Sequence, residues 1–442
     1  MPHSNSPVSQ TNDPQQRVTR RALFVWFGAV AVYVVAILGR TSFGVAGVEA
    51  IDRFGIDASR IAVFTAVQVG VYSLAQIPTG VLIDRQGPRF MLIVGALVMA
   101  VGQILLGFTS SYPVALAARV LIGAGDATAF LAVMRILPSW FPPRKTPLFT
   151  QLSTAIGQMG QFLSAVPFLA LLHAKGWQVA FVSLGAVGVL VALAAVVAVA
   201  DAPTKPGEAS PAKSAKVPLR TTLSTVVRSP VCWEAFFIHG FSIFPMITFT
   251  LLWGVPMMTL GMGLNEQEAG TVLIVLTVCM IVASPVLGAV SARLGVRRDM
   301  AVIVLCSLTP LMFLWFFSTS TPRGFGAILA VVIVMGTVVP ASNFGFDNVR
   351  EHVPPAMVAT GTGLANMGGF TSSMVAAQAV GILLDHSADS VQYTWEDFQY
   401  AWIAVYVLAI LLMVGLLVAR AKAQPQMRRL KIVEQAPPTK AN

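Results

Sequence analysis

Apolar stretches of twenty residues or more recur along the whole chain. Each is long enough to cross a hydrocarbon core of roughly 30 Å at about 1.5 Å per residue. Strands of a membrane barrel would instead alternate polar and apolar residues over about ten positions, a pattern that the sequence lacks. We therefore predict an all-α membrane protein with twelve transmembrane helices. The predicted spans are residues 22–48, 60–83, 90–109, 113–138, 148–172, 177–200, 232–258, 267–291, 299–319, 324–347, 357–384 and 399–420.

The composition fits a lipid environment. Hydrophobic residues make up 56% of the chain and charged residues only 11%, whereas about a quarter of a typical soluble domain is charged. Residues 1–21 contain no apolar run, so we expect the first span to stay in the protein rather than to be cleaved as a signal. Cys232, Cys279 and Cys306 lie inside predicted spans without metal-ligand spacing, and the sequence predicts no metal and no cofactor.

The positions of the basic residues explain the formal net charge of +10. Most of the 29 Lys and Arg residues lie in alternate loops and in both terminal segments, whereas the other loops hold only Arg53, Arg60, Lys175 and Arg323. Because cytoplasmic loops are rich in Lys and Arg, we predict a multi-pass protein of the cytoplasmic (inner) membrane with both termini in the cytoplasm. The same distribution argues against nucleic acid as a partner.

The sequence repeats itself on the two sides of a polar segment rich in Pro, Lys, Ser and Ala, which we predict to be a linker. The pattern from Gly80 to Arg89 returns as Gly288 to Arg297. At the same offset, Gly157 to Phe162 returns as Ala365 to Phe370. The predicted units are a cytoplasmic tail 1–21, a six-helix bundle 22–200, a cytoplasmic linker 201–230, a second six-helix bundle 231–420 and a cytoplasmic tail 421–442.

Two similar bundles suggest a protein that rocks about a solute site near the middle of the membrane. An intramembrane enzyme would need catalytic groups at that depth. The sequence holds no His-x-x-x-His pair, no Gly-x-Ser-x-Gly turn and no ATP-binding P-loop. We therefore predict a transporter rather than an enzyme, acting as a monomer on a small molecule.

The segment from Gly80 to Arg89 resembles the signature loop between helices two and three of the major facilitator superfamily, and Arg119 to Gly125 resembles a second motif of that family. The resemblance covers nearly the whole chain, from Arg21 to about Arg420. It implies that Asp84 and nearby basic residues cap helix ends and latch the cytoplasmic side. In the second copy Ala292 replaces the acid, so the second half departs from the family pattern at this position. The residues predicted to act in gating are Gly80, Asp84, Arg85, Gly87, Arg89, Arg119, Arg293 and Arg297.

The stretch from Gly39 to Ala46 resembles the anion:cation symporters and organophosphate antiporters of the superfamily. In those proteins an arginine of helix one binds an anionic substrate, and Arg40 occupies that place. The fifth span lacks the Gly-Pro-rich motif that is usual in drug exporters. We therefore predict proton-coupled symport of a small organic anion, with proton-driven export of drugs or metabolites as the alternative.

Charged side chains inside a span cost roughly 2.5–3.5 kcal/mol each on insertion scales, so they need a partner or an aqueous cavity. The fork of donors on Arg40 suits a carboxylate or phosphate, although a static ion pair is the alternative. Asp126 lies about two helical turns beyond Arg119 and could pair with Arg40 or Arg119. Burial favours its neutral form and a cation its charged form. We predict that Asp126 couples transport to protons, with a permanent structural pair as the alternative.

Several polar side chains at cavity depth could orient a solute or merely tie helices together. His239 titrates near neutral pH, but a lone histidine on an apolar face is more often a packing residue. Gln158 and Asn366 occupy equivalent positions of the repeat. The residues predicted to contact the substrate are Arg40, Gln68, Gln158, Gln161, His239, Asn343 and Asn366.

Overall fold

The structure is a computed structural model that describes residues 18–56, 58–203, 217–387 and 393–435. Over these residues the regular secondary structure is helical throughout. The predictions for residues 1–17 of the first tail, for residues 204–216 of the linker and for residues 436–442 of the last tail lie outside the described residues.

The α-helices follow one another closely along the chain. They are α1 (Arg20–Val45), α2 (Gly47–Phe54), α3 (Ala58–Gln86), α4 (Pro88–Phe108), α5 (Tyr112–Trp140), α6 (Thr146–Gly157), α7 (Met159–Leu163), α8 (Leu169–Ala198), α9 (Leu219–Arg228), α10 (Pro230–Thr248), α11 (Gly254–Pro256), α12 (Glu266–Leu294), α13 (Arg298–Phe316), α14 (Phe325–Val338), α15 (Phe344–His352), α16 (Val358–Ser387), α17 (Trp395–Ala401) and α18 (Ile403–Gln435). Short π-helical and 3-10 turns join several of them: Ser164–Phe168, Phe249–Trp253, Met257–Gly261, Gly295–Arg297, Val339–Asn343 and Pro355–Met357.

Ten helical segments of the described chain are long and apolar enough to cross a membrane. Two of them, Thr146–Ala198 with 53 residues and Glu266–Phe316 with 51, are more than twice as long as the roughly 20 residues that one crossing requires. Each contains a glycine with positive φ, Gly176 at 79° and Gly295 at 51°, which breaks a straight helix. The prediction of an all-helical chain with many spans is confirmed. Twelve crossings in two bundles of six stay a prediction, which these two breaks support.

The buried apolar side chains form two large clusters, one in each half of the chain. The first cluster runs through α1 to α8 and continues into the second half through side chains such as Phe346 and Ala359. Large apolar side chains such as Val197 and Ile274 are exposed, as a surface in contact with lipid tails would require. Each half therefore has its own main apolar cluster, and the halves pack against each other chiefly where α3 meets α16 and where α6 meets α12.

We call the end of the bundle that carries Arg85, Arg89, Arg144, Arg293 and Arg297 the basic face. Both described ends of the predicted linker form hydrogen bonds with this face. The carboxylate of Asp201 accepts the backbone N–H of Arg89 at 2.8 Å, and Arg85 donates to the Val217 carbonyl at 3.1 Å. The linker region also contains the helix α9, which buries Thr222 and Val226. The sequence predicted only a linker rich in Pro, Lys, Ser and Ala here, so a helix with buried side chains is a departure from the expectation.

Helices α3 and α16, from different halves, touch backbone to backbone where each carries a glycine. A Cβ atom added to Gly363 would overlap the Gln76 carbonyl oxygen, and one added to Gly80 would lie 2.6 Å from the Ala359 carbonyl oxygen. Real Cβ atoms do not approach backbone this closely. Glycine at these positions therefore sets the spacing between the two halves.

The substitution Gly363→Val should lower the stability of the protein, because its side chain overlaps the backbone of α3. Overpacking of this kind typically costs about 1–3 kcal/mol. Gly270→Val is the matched control, since no atom lies within 4 Å of a Cβ added there. We expect thermal unfolding of purified protein to show a lower Tm for Gly363→Val than for Gly270→Val. Equal Tm values would contradict the close approach of α3 and α16.

Candidate functional site

Arg40 of α1 and Asp126 of α5 form a bidentate ion pair at the centre of the first half. The Nε of Arg40 donates to Oδ2 of Asp126 at 2.6 Å, and one terminal nitrogen donates to Oδ1 at 2.9 Å. The Asp126 side chain is fully buried, whereas 20% of the Arg40 side chain is exposed. Two parallel bonds fix the orientation of the guanidinium. The arginine is thus held by the acid on one edge and remains partly accessible.

Two aromatic rings face the guanidinium of Arg40. Its central carbon lies 4.4 Å from the ring centroid of Tyr72 and 5.6 Å from that of Phe370. The two rings pack against each other with centroids 4.6 Å apart. Cation–π attraction of this kind is stronger in a desolvated site. Because Phe370 belongs to α16, the second half contributes directly to the surroundings of Arg40.

Asn366 links the aromatic pair to the second half. Its amide nitrogen donates to the Tyr72 hydroxyl at 3.0 Å and to Oε1 of Gln76 at 2.9 Å. A hydroxyl contact between Ser73 and Thr371, at 3.2 Å, lies beside it. The structure therefore brings three of the predicted site residues together: Arg40, Asp126 and Asn366. Tyr72, Gln76 and Phe370 were missed, although Phe370 ends the repeat that singled out Asn366.

Two other predicted substrate residues are buried with unused hydrogen-bonding groups. Gln68 is 1% exposed, and neither of its amide atoms has a hydrogen-bond partner in the described part of the chain. The Nδ1 of His239 lies 3.4 Å from the Ser342 carbonyl, while Nε2 has no partner among the described residues. Gln158 is half-buried between α6 and α7, and Gln161 is exposed within α7. Substrate contact by these four residues stays a prediction.

Asn343 takes part in a contact between the two halves. Its amide donates to Oε1 of Gln151 at 2.9 Å and to the Thr154 hydroxyl at 3.2 Å, while Gln151 donates to the Pro340 carbonyl at 2.7 Å. This cluster joins α6 to the 3-10 turn that precedes α15. Asn343 is thus engaged with other protein groups, and sequence reasoning did not point to Gln151.

Asp84 forms the main polar contact between the halves at the basic face. Its carboxylate accepts the backbone N–H groups of Ala359 at 3.0 Å and Thr360 at 2.8 Å, and the Thr360 hydroxyl at 2.7 Å. The Nε of Arg135 lies 3.5 Å away. A carboxylate at the first turn of a helix satisfies its free N–H groups and complements its dipole. Asp84 of α3 therefore caps α16 of the opposite half, and the basic face is closed.

Arg119 and the second copy of the signature loop take other positions. Arg119 is buried toward the end of α5 opposite the basic face, with its guanidinium carbon 4.6 Å from the Phe43 ring centroid. Arg293 and Arg297 are exposed. Their neighbour Arg298 is buried instead and donates to both carboxylate oxygens of Glu351 at 2.7 Å. The sequence offered no basis for choosing Arg298 over Arg297, and gating by these predicted residues stays untested.

Within the described residues, no group of three or more His, Cys, Asp or Glu side chains is arranged to hold a metal ion. A cavity of about 630 Å³ lies at the end opposite the basic face, beside the start of α12, where Asn265 and Glu266 line it. It is separate from the surroundings of Arg40. The chemistry available at the candidate site is therefore that of a guanidinium, a carboxyl, two rings and an amide.

The chain resembles known proteins of one family. The family model of the Major Facilitator Superfamily matches residues 29–377. A probable L-galactonate transporter of Escherichia coli strain K12 is 27% identical over 175 residues, which are 40% of this chain and 38% of that protein. A probable sulfoacetate transporter of Cupriavidus necator is 26% identical over 173 residues, 39% of this chain and 40% of that protein. The match thus spans about two fifths of the length of these relatives.

Two longer matches extend over most of the chain. A chloroplastic protein of Oryza sativa subsp. japonica, named probable anion transporter 1, is 22% identical over 424 residues, 90% of this chain and 77% of that protein. The crystal structure of a bacterial homolog of the human lysosomal transporter Spinster, inward-facing and unoccupied, aligns with a TM-score of 0.54 and 16% identity. That alignment covers 95% of this chain and all of the other, so the two proteins share a fold.

Proposed function

The chain belongs to the Major Facilitator Superfamily, and we propose that it carries a small organic anion across the membrane together with a proton. It is a multi-pass membrane transporter, and the prediction that it is not an enzyme is confirmed by its family. The relatives are named for organic anions, among them L-galactonate and sulfoacetate.

The ion pair between Arg40 and Asp126 is the main support for this proposal. Asp126 is fully buried and Arg40 only partly accessible, so each needs a compensating partner, because leaving one member of a buried pair alone costs about 3–5 kcal/mol. When a proton neutralises Asp126, Arg40 is free to donate to the carboxylate or sulfonate of a substrate. When the substrate leaves, the deprotonated Asp126 returns to Arg40. The same guanidinium thus faces either the acid or the substrate, which couples substrate binding to proton binding.

The groups around Arg40 also favour a class of substrate. The Tyr72 hydroxyl, Gln76 and Asn366 are hydrogen-bonding groups on the side of the aromatic pair. They can bind the hydroxyl groups of a polar carbon chain, and the rings of Tyr72 and Phe370 can cover its C–H surfaces. We propose a hydroxylated carboxylate or a small sulfonate as the substrate.

The proposed cycle is alternating access by rocking of the two halves in the cytoplasmic (inner) membrane. The distribution of Lys and Arg supports placing the basic face and both termini in the cytoplasm. The bonds of Asp84 to α16 and of Gln151 to Asn343 hold that face closed in this structure. Opening toward the cytoplasm would require both contacts to break. We also propose that a monomer carries out the whole cycle.

Uptake by purified protein in liposomes tests the proposed function. We expect saturable uptake of labelled sugar acids or sulfonates, accelerated when the outer solution is more acidic than the interior. The neutral sugar with the same carbon skeleton is the control and should not be taken up. Transport of cationic drugs outward, driven by the same pH difference and without uptake of any anion, would contradict the proposal.

The substitution Asp84→Asn should weaken the closure of the basic face. Hydrogen bonds to a charged group contribute about 1.5–3 kcal/mol each, so the loss of the charge should shift the equilibrium toward the open state by roughly tenfold. The measurement is the rate at which a thiol reagent labels the Ala359→Cys variant, at a position 1% exposed, in a chain whose three native cysteines are replaced by serine. The exposed Asp52→Asn change is the control. An unchanged labelling rate in Asp84→Asn would contradict the role of this contact.

A further inference from the structure

Glu234 is a fully buried acid near the start of α10, close to the basic face. Its side chain is 0% exposed. One carboxyl oxygen, Oε2, lies 3.5 Å from the amide nitrogen of Asn348, and Oε1 has no hydrogen-bond partner among the described residues. The carbonyl oxygen of the Asn348 side chain faces Arg298 at 3.3 Å, which fixes the orientation of this amide with its N–H groups toward Glu234.

Glu234 differs from the other acids that are buried to the same extent. Asp126, Asp299 and Asp347 are each at most 1% exposed. Each of these three contacts an arginine, which is Arg40, Arg420 and Arg350 respectively. Glu234 has no such partner in the described ion pairs, so its charge would not be compensated by direct contact.

The charged groups near Glu234 do not compensate its charge either. The charged groups that interact with it electrostatically are Asp299 of α13 and Arg420 of α18. Arg420 already contacts Asp299, and Gln424 donates to the same carboxylate at 3.0 Å. The neighbouring first turns of α16 contain no charged residue, and Arg220 and Arg228 of α9 are exposed. Glu234 and Asp299 therefore both lie near the guanidinium of Arg420, which pairs with Asp299.

An ionised carboxyl that is buried without a partner is far less favourable than its neutral form, and a nearby negative charge increases the imbalance. We propose that Glu234 is a proton-binding site of the second half, occupied by a proton while the basic face is closed. The proton forms an O–H bond with the carboxylate and returns to water when that face opens. This site is distinct from Asp126, which lies in the first half and has Arg40 as its counterion.

The connection of this proton to transport rests on the proposed function. The groups around Glu234 belong to α13, α15 and α18 of its own half, so release of the proton requires that rocking also loosens these contacts and lets water solvate Glu234 as an anion. Acidity on that side would then favour the closed state. The presence of the proton on Glu234 can be tested without any substrate. A negative result in that test is therefore distinguishable from an absence of anion transport.

Infrared spectroscopy of the purified protein at neutral pH tests the proposal. A protonated carboxyl absorbs apart from carboxylates and shifts in D2O, and we expect Glu234→Gln to remove one such band. Glu351→Gln is the matched control, because Glu351 accepts both bonds from Arg298 and we expect no protonated band from it. Labelling of glutamate carboxyl groups with 13C in the unsubstituted protein should shift the same band. A spectrum unchanged by Glu234→Gln, or no band that shifts on glutamate labelling, would overturn the proposal.

Discussion

Replacing Arg40 by alanine should lower saturable anion uptake by at least about a hundredfold. The loss of a buried charge partner costs about 3–5 kcal/mol, and each 1.4 kcal/mol is a factor of ten in binding. Arg40→Lys keeps the charge but loses the fork that donates twice to Asp126, so we expect intermediate uptake. The measurement is the initial rate of uptake into liposomes at equal amounts of inserted protein.

A second variant separates binding from folding. Arg40→Ala leaves Asp126 buried without a counterion, which by itself lowers stability. The double change Arg40→Ala with Asp126→Asn removes both charges, so its Tm should recover toward that of the unsubstituted protein while uptake stays low. Recovery of uptake in the double variant would show that Arg40 holds Asp126 and does not bind the anion.

Replacing Asp126 by asparagine should abolish accumulation of the anion against its gradient. The amide that takes the place of the carboxyl neither binds nor releases a proton, and it carries no charge that competes for Arg40. We expect an imposed pH difference to leave the internal concentration no higher than the external one, whereas exchange of anion across the membrane persists. Anion binding should also lose its increase at acidic pH, because no carboxylate must first be neutralised.

The control for this prediction is Asp52→Asn, an exposed acid in α2. It should accumulate the anion as the unsubstituted protein does. If Asp126→Asn still accumulated the anion under a pH difference, the coupling acid would have to be sought elsewhere. Glu234 would then be the first residue to change, since it is a buried acid without a direct counterion.

The general architecture was predictable because it depends on local sequence properties. The lengths of the apolar stretches predicted the long helices. The two related bundles inferred from the matching segments at Gly80 and Gly288 stay a prediction. The scarcity of charge inside the spans also singled out Arg40 and Asp126. Sequence reasoning offered Arg40 or Arg119 as the partner of Asp126, and the structure shows Arg40.

The remaining contacts depend on how distant helices face one another, which one sequence does not specify. Tyr72 and Phe370 are ordinary aromatic residues of apolar helices until α3 and α16 bring their rings over Arg40. Arg298 follows another arginine, and only the packing of α13 against α15 buries it beside Glu351. The helix α9 was missed because the surrounding linker is rich in residues typical of disorder, whereas Thr222 and Val226 find a surface to pack on.

In the proposed cycle, one guanidinium alternates between the carboxylate of Asp126 and the acidic group of the substrate. The decisive measurement is the number of protons taken up when an anion binds to the purified protein in weakly buffered solution near neutral pH. Thermodynamic linkage requires anion binding to draw a proton onto Asp126 in the unsubstituted protein and none in Asp126→Asn. Anion binding without proton uptake, or equal proton uptake by the two proteins, would show that Asp126 does not exchange with the substrate at Arg40.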